Sequence, residues 1–321
     1  MTYKGFYTQC LVILLRAPVS LRDIVDRLRA FEAQTSELRS SNWVLGNPSV
    51  VLPFRADVSG AVIVDLVDRP WPDHMGDAKR ETELLAAWLT GHFGVTWPFS
   101  LKRACLQSWG WAEGKTVPLR NKAFLRVRSS YVFNGPDDAP LKPTDYEPLS
   151  ELKFVTRVAA ALAGLPQAIS YFDPAGERVW APKDFTEYFA QAEAQDSLPI
   201  SIWCNLRHVN LKDRAEGWCL VDTMGMAQLD AADHEAIFPS ARYKSTEVGE
   251  LLLNMATYIA QNGPVIADGD TVDGPGDLHW KATPAEESQA LPHRSVIRWL
   301  PMDGRPVPPA VITAPNPRTG A

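Results

Sequence analysis

The chain has 321 residues, 45% of them hydrophobic and 22% charged, with a net charge of −6. This composition excludes a disordered body and leaves room for one large core or two fused smaller ones. The charge is uneven: residues 1–150 carry 18 Lys and Arg against 16 Asp and Glu, whereas 151–321 carry 14 against 22. Within 213–287, 14 acids face only 4 bases. That is the wrong sign for nucleic acid, but it would steer a basic protein partner.

The N-terminus lacks the basic region, apolar stretch and small-residue cleavage site of a signal peptide. No apolar run approaches the roughly 18 residues a membrane span needs. The expected location is therefore the cytoplasm, where Cys10, Cys105, Cys204 and Cys219 stay reduced, although Cys204 and Cys219 could face each other across neighbouring strands.

In chain order, the apolar periodicity predicts a strand at 9–15 and a helix opened by Ser20 with Asp23 three residues on, a capping-box start. Strands follow at 49–53 and 61–67, then a helix over 81–92 with Leu84, Leu85, Trp88 and Leu89 inward. The stretch 94–122 is irregular and aromatic, with a short helix near 100–108. A strand at 123–133 alternates Leu125 and Val127 with Arg126 and Arg128, which predicts one apolar and one polar face.

The Pro/Gly/Asp-rich loop 134–148 is the best internal boundary of a domain covering 1–300. Beyond it come a helix from Ser150 to Gly164, a strand at 168–173, a helix at 183–194, and strands at 200–209 and 217–223 joined as a hairpin. A long helix spans 246–262 and a last strand 295–300. The proline-rich tail 301–321 is expected to be extended. The sum is an α+β fold of mostly antiparallel sheet with helices packed on it, its two halves echoing each other in style.

The motif search yields near-misses. Gly110-Trp111-Ala112-Glu113-Gly114-Lys115-Thr116 has three residues between its glycines where a phosphate-binding loop needs four. The run with Asp268, Asp270 and Asp273 resembles a calcium loop, but its third acid is misplaced and His279 stands where the bidentate Glu belongs. Asp233-His234-Glu235 begins like a zinc-protease helix and then offers Phe238 in place of the second His. No nucleophile elbow or dinucleotide fingerprint occurs.

Trp71, Asp73, His74 and Asp77 directly follow the apolar strand 61–67, at a strand end where sites often form. Of the 11 tryptophans, Trp88 and Trp203 fall on core periodicity. Trp71, Trp97, Trp109 and Trp111 fall in turns, where an interface could use them.

Several phrases together resemble a bacterial family. They are Trp71–Asp77, Ala87-Trp88, Gly91–Gly94, Arg126–Val132, Tyr171–Glu177 and Asp222–Met226. The family is the domain-of-unknown-function group numbered 4261, and it implies no activity and no catalytic residue. Its setting beside toxin and secretion genes implies an immunity protein.

The leading expectation is therefore a cytosolic protein-binding module that neutralises a toxin with a basic surface. It would use Trp71, Asp73, His74, Asp77, Trp97, Trp109 and Trp111 together with the acids Asp222, Asp233, Glu235, Asp268, Asp270 and Asp273. No cofactor or metal is expected for this role. The alternatives are a secretion-system adaptor and a metal-assisted hydrolase. The latter would need Asp73, His74 and Asp77 to be joined in space by Asp222 or by His234 and Glu235.

Overall fold

The first apolar run forms β1 (Gln9–Leu15), every residue of which is buried. The structure, a computed structural model, describes residues 4–36, 44, 49–133, 135–136, 138–211 and 215–312. The chain divides into two compact units, Thr2–Trp203 and Cys204–Ala321. The loop 134–148 lies inside the first of them.

In the N-terminal unit β1 is followed by α1 (Leu21–Arg27), β2 (Gln34–Ser36), β3 (Ser49–Pro53), β4 (Ala61–Val67), α2 (Thr82–Leu89) and α3 (Ser100–Leu106). Then come β5 (Ala123–Ser130), α4 (Pro148–Ala163), β6 (Ala168–Asp173), β7 (Arg178–Trp180), α5 (Pro182–Ala194) and α6 (Ile200–Trp203). The strands form one sheet of order β2-β3-β4-β5-β1-β6-β7, antiparallel throughout.

Ser20 opens α1 as expected. The Asp23 amide donates to its Oγ at 3.1 Å, and its own amide donates to Asp23 Oδ2 at 3.0 Å. Cys10, Val12 and Leu14 of β1 pack against an aromatic layer containing Trp71, Trp88, Phe93 and Phe124. The alternate residues Leu11 and Ile13 point to the other face, and α4 packs on β1, β5 and β6.

The C-terminal unit contains β8 (Asn205–Asn210), β9 (Trp218–Met224), β10 (Asp233–Pro239), α7 (Ser245–Asn262), β11 (Thr271–Gly274), β12 (Leu278–Ala285) and β13 (Val296–Pro301). Its sheet runs β11-β12-β13-β10-β9-β8, antiparallel except for the β10–β13 pair. Val248, Leu251 and Leu252 of α7 pack against Phe238, Trp280 and Trp299 on one face. Leu220 and Ile237 on the other face pack with Ala290 and Val311.

The α+β class and the mostly antiparallel sheets are as expected, while the two strand orders differ. Several local readings are corrected. Residues 200–203 are helical, because the apolar run there fills a core pocket with Ile202 and Trp203 rather than a sheet. Asp233–Pro239, to which no element was assigned and whose likeness to a zinc-protease helix fails at Phe238, is a strand. The Asp/Gly stretch leads into the hairpin of β11 and β12. Cys219 pairs in register with Asn210 while Cys204 precedes β8, so the two cysteines sit at opposite ends of the hairpin, and none of the four is in a disulfide. Leu89 is exposed, since α2 ends at that residue. The start of the tail docks through Val311, which is fully buried, and residues 313–321 lie outside the described residues. Among the described residues no helix is long and apolar enough to cross a membrane.

Candidate interaction surface

Trp71, expected at an interface, lies instead in the core. It is 5% exposed, with Phe93, Phe124 and Phe172 edge-on at ring distances of 5.3–5.4 Å. The turn after it is held by its own polar groups. Asp73 accepts from the Leu101 and Lys102 amides at 2.9 Å each, which fixes the start of α3. His74 Nδ1 accepts from Gly76, and Asp77 accepts from Lys79 and Arg80. These are turn-forming roles. Asp73, His74 and Asp77 belong to the N-terminal unit, and Asp222, His234 and Glu235 to the other. Among the described residues no group of three or more His, Cys, Asp or Glu is placed to hold a metal ion.

The structure does bring Asp222, Asp233 and Glu235 together, with cationic partners that lie outside the acidic segment. Register aligns Arg207, Asp222, Glu235 and Arg298 as a row across β8, β9, β10 and β13. Arg207 grips Asp222 with Nε at 3.0 Å and Nη2 at 2.5 Å. Arg294 bridges Asp222 and Asp233 at 2.7 Å each. Arg298 Nε donates to Glu235 at 2.8 Å, and the Gln289 amide donates to its other oxygen at 2.6 Å.

Three guanidiniums thus neutralise three carboxylates in a network whose acids, Arg207 and Arg298 are buried and whose Arg294 side chain is 8% exposed, so the acids are spent inside the fold. Burial alone would raise the Asp222 pKa, but Arg207 and Arg294 outweigh it and hold the carboxyl below its ordinary range. Burial wins at Glu235, whose pKa is pushed up. Among the exposed acids of this unit, Asp268, Asp270, Asp273 and Asp277 gather around the edge-strand hairpin. Asp270 accepts from the Ala267 amide, and Asp273 pairs with His279.

A second buried group went unread in the sequence. Arg126 and Arg128 point inward from β5 and both bind Asp65 of β4, at 2.5 and 3.0 Å. Their remaining charge is placed over rings, with Arg128 Cζ 3.8 Å from the Tyr7 centroid and Arg126 Cζ 5.5 Å from that of Phe93. Beside them His92 is pushed down to about 4, first by burial and then by Arg128 and Arg126.

His92 therefore stays neutral in the folded chain while its unfolded counterpart protonates from about pH 6.5. The N-terminal unit should lose stability as pH falls from about 6.5 toward 4, with a slope approaching one proton. His92→Gln should flatten that slope in urea titrations run across the range. A slope unchanged by the substitution would refute this assignment.

What remains on the outside is an aromatic face around α3. Among the described residues, five of the twelve exposed large apolar side chains fall between 97 and 119: Trp97, Phe99, Leu106, Trp109 and Leu119. Leu106 and Trp109 are 60% and 61% exposed. α3 packs against the turns Ala112–Lys115 and Pro118–Arg120 and against β7, so the segments that carry these side chains are neighbours.

Phe99 is the notable member. The residue is 54% exposed, yet its backbone sits at φ 64°, the left-handed region that a bulky residue occupies at a cost of about 1–2 kcal/mol. The Phe99 amide donates to the Asp73 carbonyl at 2.9 Å, which helps hold it there. A strained residue that buries little suggests use rather than folding. Trp111 is half-buried behind this face and lines a cleft of about 80 Å³ with Ser108, Gly110, Arg178, Trp180 and Asp184. Lys115 lies 5.6 Å from the Trp109 ring centroid. Exposed Lys102, Arg120 and Lys122 make the face basic.

The sequence had marked Trp97, Trp109 and Trp111 and had missed Phe99, Leu106, Leu119, Arg178 and Trp180. Apolar residues in irregular segments give no periodicity from which exposure can be read. No curated protein and no solved structure matches this chain. Of the phrases that carried the family resemblance, only Asp222–Met226 lies where a family match is found. Residues 222–300, from within β9 to within β13 of the C-terminal unit, match the family described as a domain of unknown function, DUF4261.

Proposed function

We propose that the chain is a cytosolic protein-binding module, and that the aromatic face around α3 is its principal contact surface. The concentration of exposed Phe99, Leu106, Trp109 and Leu119 in one region carries this reading. Large apolar side chains left exposed on neighbouring segments are the raw material of interaction sites, and aromatic anchors dominate interface energetics. Strained Phe99 supports it, because strain retained at an exposed ring is explained by a use outside the fold. Cysteines kept as thiols fit a reducing compartment. The exposed acids of the β11–β12 hairpin would address a basic region of the partner and speed association in a salt-sensitive way. The partner class we propose is a toxin enzyme, which the chain would bind and neutralise as an immunity protein.

Co-expression with the product of the adjacent gene tests this. The wild type should form a complex and restore growth, whereas Leu106→Asp combined with Trp109→Asp should do neither while folding normally. Growth restored equally by the double variant would refute the surface. Phe99→Gly separates binding from stability: it should leave the denaturation midpoint unchanged or raise stability by up to about 1 kcal/mol, while weakening the complex.

A further inference from the structure

The exposed side chains around α3 carry charge as well as apolar area. In a chain of net charge −6, the segment 97–122 holds five bases against the single acid Glu113. One of the bases, Arg103, is spent on the buried Glu177 carboxylate. The other four, Lys102, Lys115, Arg120 and Lys122, are exposed, and none of them forms an ion pair among the described residues. Asp73 adds one carboxylate at the start of α3, held on the Leu101 and Lys102 amides, and the balance stays positive. Asp184 and Arg178 both line the cleft behind and together add no net charge.

The cations are interleaved with the apolar side chains. Lys102 and Leu106 stand four residues apart on α3, hence on one side of it, and both are exposed. Lys115 lies 5.6 Å from the ring centroid of exposed Trp109. Leu119 and Arg120 are adjacent and exposed. The segments that carry these pairs pack on one another: α3 meets the turns Ala112–Lys115 and Pro118–Arg120, and the two turns meet each other. A Cβ at Gly114 would lie 2.8 Å from the Ser108 side chain, so the first turn is drawn tightly against the chain that leaves α3. A Cβ at Gly110, next to Trp109, meets nothing within 4 Å, which leaves that backbone open to an incoming chain.

We infer that this face receives a segment of the protein partner in which acidic and apolar side chains are interleaved. Its apolar side chains would cover Leu106, Trp109 and Leu119, and its carboxylates would meet Lys102, Lys115 and Arg120. Exposed ion pairs are individually weak, so the charges set selectivity and association rate while the apolar contacts set most of the affinity. Two of the three apolar contacts are leucines, which offer no plane for a nucleobase to stack on, so a protein segment fits the face better than nucleic acid. The charge is opposite in sign to that of the exposed acids on the β11–β12 hairpin, so the two features address different regions of a partner. The inference rests on the interaction-surface reading above and adds the chemistry that the face selects.

The experiment uses the full chain, labelled with ¹⁵N, and follows the Trp109 indole N–H resonance, identified by its loss in Trp109→Phe. The probes are an N-acetylated, C-amidated octapeptide alternating Glu and Leu, the same peptide with Gln for Glu, and the same peptide with Lys for Glu. At low salt the Glu peptide should shift the resonance and saturate at or below about 1 mM. The Gln peptide should bind at least about fivefold more weakly, and the Lys peptide should leave the resonance in place. Raising the salt to about 0.5 M should remove most of the advantage of Glu over Gln.

Lys102→Glu, Lys115→Glu and Arg120→Glu combined should weaken the Glu peptide at least about tenfold and turn the preference toward the Lys peptide, at an unchanged urea midpoint. Substituting Gln at the same three positions should give an intermediate loss, which keeps the test readable if the first triple variant folds poorly. A resonance unmoved by the Glu peptide, equal affinity for the Glu and Lys peptides, or full Glu-peptide affinity in the Gln triple variant would each overturn the assignment. Saturation of the same resonance by phosphatidylglycerol vesicles or by a single-stranded deoxythymidine dodecamer, at lower concentration than the Glu peptide, would overturn it too and make lipid or nucleic acid the occupant. The two readings can also fail separately. Asp at positions 106 and 109 repels an acidic segment as well as removing apolar area, so the neutral pair Leu106→Ala with Trp109→Ala reads the apolar part alone. If that pair abolishes the partner complex while the charge variants leave it intact, the surface stands and the charge assignment falls. If that pair leaves the complex intact, the surface reading falls whatever the peptides do.

Discussion

Replacing Asp65 by Ala is expected to destabilise the N-terminal unit by about 3–5 kcal/mol, a large fraction of the stability of an ordinary domain. Asp65 is the shared counter-charge of two guanidiniums that are themselves almost wholly inaccessible. The backbone acceptors at Val44 and His92 and the rings of Tyr7 and Phe93 satisfy directions but supply no full negative charge. Removing the carboxylate leaves two buried cations facing each other across neighbouring positions of β5.

The contrast that isolates this cause is the triple variant Asp65→Leu, Arg126→Met, Arg128→Met. It removes charge and counter-charge together and should lie within a few kcal/mol of wild type, because packed apolar groups often replace a buried ion pair at little cost. Urea titration of the full chain by tryptophan fluorescence reads both. A single substitution as mild as the triple one would refute the account of this core.

Burial alone would raise the Asp65 pKa, but Arg126 and Arg128 together hold it below the ordinary carboxylate range. Its contribution is therefore complete above the unfolded Asp pKa of about 3.9 and disappears as pH falls through the lower folded value.

Asp222→Ala should have a comparable effect on the C-terminal unit, again about 3–5 kcal/mol, by a slightly different route. Arg207 would lose both its bonds to Asp222 and keep the Leu291 carbonyl at 2.9 Å among its partners, while Arg294 would keep Asp233. The loss thus falls chiefly on Arg207, and Asp222→Ala with Arg207→Met should recover a large part of it. The acid titration distinguishes Asp222 from its neighbour. Asp222 is depressed, so its stabilisation is lost as pH falls through its folded value. Glu235 is raised, so folding favours its protonated form and its shift does not drive acid unfolding. Glu235→Gln should leave the acid midpoint near wild type, whereas Asp222→Asn should remove the steepest part of the acid limb. Equal responses from the two would contradict this division.

Long, strongly periodic elements were legible from residues alone. The stripes of α4 and α7, the all-apolar run of β1 and the capping box at Ser20 each present a local pattern that the tertiary fold does not overrule. Arg126 and Arg128 show the limit. Alternation of apolar and charged residues ordinarily means one wet face, but here the aromatic layer covers that face and Asp65, 61 residues away in sequence, supplies the charge.

The same limit governs the candidate site. Asp222, Asp233 and Glu235 were singled out as acids, and their neutralising arginines lie at 207, 294 and 298, outside the segment whose charge balance had been taken as acidic. Trp71 looked exposed because it follows a strand in a Pro-containing turn, yet that turn folds back into the core through the Asn121 side chain, which accepts the Trp71 amide at 2.7 Å. Trp109 and Trp97 were read as exposed from the same kind of context, and they are. Turn residues alone do not say which way a ring points; the long-range partner decides.

The most direct test of the binding function is calorimetric titration of the purified full chain with its partner, comparing wild type with Leu106→Asp, Trp109→Asp. Both side chains are more than half exposed, so the double variant should unfold within about 1 kcal/mol of wild type. The account predicts that it binds at least about 100-fold more weakly, the loss of two interface anchors. Wild-type affinity in a double variant of wild-type stability would contradict it.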